Sequence, residues 1–108
     1  HGAEILTQQA PAVFRVAWAV LIDRKATAVV NGSEMAPDLD ADGVKAFGSL
    51  SQSRVAELAD GWIPGWGETL IAIAPLRGNL SIVLARRGGP EFIKSELARL
   101  RPLAALAQ

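Results

Sequence analysis

The stretch ETLIAIAPLRGNLSIVLARRGG, residues 68–89, constrains the fold most. Within it, 69–76 and 80–85 are short apolar runs separated by Gly78-Asn79, the second rich in branched side chains. Runs this short, bounded by Gly, Asn and Arg, predict strands rather than helices. Gly and Asn both tolerate positive φ, as a tight hairpin requires. On a strand, Leu70, Ala72, Ala74 and Leu76 share one face, and Ile71 and Ile73 the other. A strand apolar on both faces belongs inside a sheet covered on both sides. The alanines leave room on their face, for a close-packed helix or for a ligand pocket.

An earlier stretch predicts a second hairpin. In VAWAVLID, residues 16–23, Val16, Trp18, Val20 and Ile22 point one way, and Ala17, Ala19 and Leu21 the other. Arg24-Lys25 reads as a polar turn, 26–30 as the returning strand, and Asn31-Gly32 as the turn that closes it. Residues 3–10 predict a short helix, broken or kinked at Pro11, with 12–15 resuming it. Between the hairpins, 35–43 begins as loop. Val44, Phe47, Leu50, Val55 and Leu58 then recur at helical spacing, and Gly48 divides them into two short helices. Asp40 or Asp42 is the expected cap of the first, and Ser51 of the second. A glycine-rich loop with Trp62 and Trp66 leads into the second hairpin. Beyond it, Ile93, Leu97, Leu100, Ala104 and Ala107 form the stripe of an amphipathic C-terminal helix. Pro102 should kink it.

Composition narrows the function classes. A chain of 108 residues suits a single domain over 1–108. Such a domain buries roughly 65% of its unfolded surface, enough to need no staples. Formal net charge is zero, so the basic field of a nucleic-acid binder is missing. Arg86-Arg87 and Arg99/Arg101 read as local pairs on a solvated surface. No apolar run approaches the ~20 residues of a membrane span, and no signal pattern opens the chain. With no cysteine there are no disulfides, thiolate nucleophiles or Cys-held metals. A cytoplasmic location is expected. His1-Gly2 reads as a tag remnant or an arbitrary start, and the ending LAALAQ as a domain cut from a longer protein.

The C-terminal motifs carry a resemblance. An apolar strand ending Ala74-Pro75-Leu76 is followed by a short turn, the strand LSIVLAR over 80–86, and then FIKSEL over 92–97. In this respect the chain resembles the closing part of a GAF domain over about 45 residues, and the order helix, hairpin, helical insert, hairpin, helix is similar too. The resemblance implies an α+β fold: a GAF-like antiparallel sheet with N- and C-terminal helices on one face and a short helical insert on the other. A PAS domain is the nearest structural alternative. It also implies a sensory module of a signalling protein, attached to an output domain such as a histidine kinase, phosphatase, cyclase or transcription regulator.

The residues test the family's specialisations. Covalent bilin attachment and methionine sulfoxide reduction both need cysteine. Haem or non-haem iron needs histidine, and His1 is the only one. Neither a catalytic constellation nor a cofactor is expected. Asp38, Asp40 and Asp42 lack the closing Glu of a calcium loop, and Ser49, Ser51 and Ser53 lack a histidine partner. Trp62 and Trp66, flanking a Pro-Gly turn, can stack on a flat ligand or fill the core. The expected pocket is Trp62, Trp66, Arg54 and the Ala72/Ala74 face. The alternative is a ligand-free interaction module, a homodimer through the terminal helices with Ile93, Leu97, Leu100 and Ala104 at its interface.

Overall fold

The structure, a computed structural model, describes residues 2–58, 62, 69–87 and 98. Helix α1 (Gly2–Phe14) is followed by β1 (Trp18–Asp23), β2 (Ala28–Gly32), α2 (Ala41–Lys45), β3 (Arg54–Leu58), β4 (Thr69–Pro75) and β5 (Leu80–Arg87). The five strands form one sheet in the order β2-β1-β5-β4-β3, with every neighbouring pair antiparallel. The two hairpins meet along β1 and β5, from Trp18 opposite Ala85 to Asp23 opposite Leu80. The fold is therefore α+β, built on a five-stranded antiparallel sheet.

Both faces of the central strands β1, β4 and β5 are buried, as the apolar alternation of β4 requires. On one face Ala3, Leu6, Ala10 and Phe14 of α1 pack into a cluster with Ala19, Leu21, Ala72, Ala74, Ile82 and Leu84. Their spacing of three and four places them on one side of a helix. On the other face Trp18, Val20, Ile22, Leu58, Ile71, Ile73, Val83 and Ala85 form a cluster covered by Val44 and Phe47 from the insert. Trp18 is wholly buried. An aromatic of that size removes roughly 200 Å² from water, about 5 kcal/mol of gross hydrophobic gain.

Several elements differ from their sequence expectation. Helix α1 runs unbroken through Pro11. Proline removes one backbone donor, but the flanking Ala10 and Phe14 are both seated in the core. The helix ends instead at Arg15, whose φ of 54° is left-handed, while the Val16 amide bonds back to the Pro11 carbonyl at 3.2 Å. That is the Schellman arrangement. It resets the alternation, so Val16 joins the α1 face and Ala17 the opposite one.

The first turn occupies four residues rather than two. The Asp23 carboxylate accepts from the amides of Lys25 and Ala26 at 2.9 and 3.2 Å, and Thr27 takes a φ of 52°. The returning strand is thereby shifted to Ala28–Gly32, so Asn31-Gly32 is strand and not turn. Val30 is an extra residue between Val29 (opposite Ile22) and Asn31 (opposite Leu21). A bulge of this kind disfavours edge-to-edge association.

The second expected insert helix does not form. Arg54–Leu58 is an edge strand paired with β4, Arg54 opposite Ile73 and Leu58 opposite Thr69. The helical spacing of Val55 and Leu58 is outweighed by the open row of β4 donors and acceptors, which the strand satisfies. Ser51 therefore caps no helix. Arg86 is not solvated surface either: it is buried on the α1 face and donates to the Phe14 carbonyl at 2.8 Å.

Candidate functional site

The insert side of the sheet holds the candidate site. Asp40 caps α2, its carboxylate accepting from the Gly43 amide at 2.9 Å, and so starts a single-turn helix after the proline-containing loop. Gly48, with a φ of 79°, turns the chain away after Phe47. Arg54 clamps this turn. Its Nε donates to the Ser49 carbonyl at 2.9 Å and its Nη2 to the Phe47 carbonyl.

Three aromatic rings hold the insert to the sheet. Phe47 lies 5.1 Å from Trp62 and 6.5 Å from Trp18, between ring centroids, and both pairs are tilted. Trp18 and Trp62 stack at 6.2 Å with 20° between their planes. These separations lie within the range where aromatic pairs attract beyond simple burial.

A polar network crosses the end of the same face. Arg24, in the first hairpin turn, donates through Nη1 to the Leu80 carbonyl and, at 2.8 Å, to Ser81 Oγ; its Nη2 reaches the Gly78 carbonyl at 2.7 Å. Ser81 Oγ in turn donates to the Leu50 carbonyl at 2.6 Å. One arginine and one serine thus tie together the two hairpin turns and the insert. Ser81 is fully buried, so its hydroxyl must be satisfied internally, and it is.

Among the described residues, two clefts open between the insert and the β1–β2 hairpin. The first, of about 370 Å³, lies beside Ser33, Ala36, Pro37, Asp38 and Leu39, over Val20 and Val29. The second, of about 420 Å³, lies between the first hairpin turn and the end of α2; Arg24, Thr27, Lys45, Ser49 and Ser51 supply its polar lining. Both fall within the volume range of small-molecule sites, about 300–1,000 Å³. The second carries hydrogen-bond donors and positive charge, the equipment for holding an anion. Among the described residues, no group of three or more His, Cys, Asp or Glu side chains is placed to hold a metal ion.

No protein-family model matches this chain, and no match to a curated protein was found.

The structure divides the expected pocket. Trp62 and Arg54 both attach to Phe47, Trp62 by ring contact and Arg54 through the backbone carbonyl. Ala72 and Ala74 lie on the opposite face, in the α1 cluster, with almost no exposed surface. They cannot line one pocket with Trp62, because the sheet stands between them. The Arg54 guanidinium serves the insert backbone. Trp66, Ile93, Leu97, Leu100 and Ala104 lie outside the described residues. The sequence reading missed Arg24 and Ser81. A serine inside the otherwise apolar LSIVLA run was the available signal, since a buried hydroxyl requires a partner.

Proposed function

We propose that this chain is a non-catalytic sensory or regulatory domain of GAF-like type, which binds a small molecule on the insert side and signals to an attached output domain. The supporting observation is the second cleft, whose wall is tied to β5 through Arg24 and Ser81. A ligand there alters bonds that reach the middle of the sheet, which gives it different interactions with two arrangements of the fold. The C-terminal sequence motifs and the order helix, hairpin, insert, hairpin supply the GAF-like component of the reading. The output would be a histidine kinase, phosphatase, cyclase or transcription regulator of the cytoplasm.

The test is intrinsic tryptophan fluorescence of the purified domain against a panel of metabolites and nucleotides. Trp18 and Trp62 contact Phe47, next to Gly48 at the cleft edge, so binding should change their emission saturably. A domain that remains folded and responds to no member of the panel would remove the sensory reading.

A second reading is a ligand-free homodimerisation module. It is favoured by α1, whose outer side exposes Ile5 (56%) and Val13 (43%). Light scattering distinguishes it: a stable dimer dispersed by Ile5→Glu and Val13→Glu, with circular dichroism unchanged, supports the module. A folded monomer at high concentration excludes it.

A further inference from the structure

The second cleft has an unbalanced charge. The whole chain carries equal numbers of acidic and basic side chains, 11 of each. Among the described residues, the polar lining of this cleft nevertheless contains Arg24 and Lys45 and no carboxylate. The adjacent acid, Asp23, has its Oδ1 engaged by the Lys25 and Ala26 amides. The three side-chain bonds of Arg24 go to two carbonyls and a hydroxyl. Arg54, behind the same loop, likewise donates to the carbonyls of Phe47 and Ser49. Neutral acceptors orient a guanidinium without cancelling its charge. Two positive charges thus line this concavity in a chain of zero formal net charge, and concavities focus such fields.

The remaining lining matches that field. Thr27, Ser49 and Ser51 bring hydroxyl groups to the cleft, and Ser49 and Ser51 already lie within 3.3 Å of each other, oxygen to oxygen. Hydroxyls rotate to donate to an anion, and a cation strengthens each such bond. The volume of about 420 Å³ admits a small metabolite and no folded partner. We propose that this cleft binds a small oxyanion-bearing metabolite, held through a phosphate or carboxylate group by Lys45, Arg24 and the Ser49/Ser51 hydroxyls. The inference rests on the regulatory reading and names the ligand class for it. Capture of Arg24 N–H groups by the anion competes with Gly78, Leu80 and Ser81, which carries the event into β5.

The test is a ¹H–¹⁵N NMR titration with inorganic phosphate and, separately, succinate, each against sodium chloride at equal ionic strength. Saturable shifts of the Thr27, Lys45, Gly48, Ser49 and Ser51 amides are expected. Response to phosphate alone assigns a phosphoryl group, and response to succinate alone a carboxylate. Lys45 is exposed, so Lys45→Glu should leave the circular dichroism unchanged while weakening binding by about tenfold or more, a difference of about 1.4 kcal/mol. Shifts reproduced by chloride, or insensitive to Lys45→Glu, overturn the proposal. If both anions fail while the fluorescence panel yields a neutral ligand, the oxyanion assignment falls and the regulatory reading stands. If the panel also yields nothing, both fall.

Discussion

The guanidinium of Arg86 donates a 2.8 Å hydrogen bond to the carbonyl of Phe14, seventy-two positions earlier in the chain. The last turn of a helix leaves carbonyls without intrahelical partners, and its dipole places partial negative charge there. Strand β5 thus supplies the cation that closes the end of α1, from the middle of the sheet.

Arg86→Ala should therefore destabilise the domain. A buried hydrogen bond to a charged group contributes about 1.5–3 kcal/mol, and the substitution removes it. The midpoint of urea unfolding should fall with little change in slope. Arg77→Ala, at an exposed turn position, should stay within about 0.5 kcal/mol of the parent. Equal effects of the two substitutions would remove the capping role.

Arg15→Gly should act in the opposite direction. Arg15 is exposed and holds a φ of 54°, which costs a residue with a Cβ about 1–2 kcal/mol. Glycine relieves that cost but has a more flexible unfolded state, so a net gain of about 0.5–1 kcal/mol is expected. Thermal unfolding should shift upward by a few degrees. A fall would mean that the Arg15 side chain contributes more than its backbone costs.

Gly48→Ala tests the insert. A Cβ there would lie 2.6 Å from Nη2 of Arg54, at a φ of 79°. Strain and displacement of the clamp together should cost about 1–3 kcal/mol. Near-ultraviolet circular dichroism should also change, since Phe47, which precedes Gly48, contacts both Trp18 and Trp62. An unaltered aromatic spectrum with unaltered stability would show that the clamp is dispensable.

Ser33→Ala should loosen one edge of the sheet. The Ser33 hydroxyl accepts from the Ala19 amide at 2.9 Å, and the Ser33 amide donates to the Ala19 carbonyl at 2.9 Å. Removing the hydroxyl leaves a buried amide without its acceptor, at a cost of about 1–3 kcal/mol. Hydrogen exchange should accelerate at Ala19 more than at Val83 in the sheet interior. Uniform acceleration would indicate only a global loss of stability.

Local pattern sufficed where a segment carries its own periodicity or turn chemistry. The alternation of β4 placed Leu70, Ala72, Ala74 and Leu76 on one face and Ile71 and Ile73 on the other, and the core clusters divide in the same way. Asp40 was among the expected caps of α2, and it is the cap. Gly78 sits in the second hairpin turn with the positive φ that glycine permits. Burial on two sides, a helix start and a tight turn are each written within a few residues, so they were legible in the sequence alone.

Tertiary structure decided whatever depends on a partner distant along the chain. Arg54–Leu58 is a strand because the edge of β4 lies beside it, although its apolar spacing also fits a helix. Arg86 is buried where Phe14 presents a carbonyl to it, and Arg24 turns toward the second hairpin because the Gly78 and Leu80 carbonyls and the Ser81 hydroxyl converge on it. Trp62 and Ala72 both looked suited to a pocket, yet the sheet lies between them. A side chain's type specifies what it can bond to or fill. Its neighbours are specified only when the chain closes on itself, because long-range pairing brings together groups that share no local pattern.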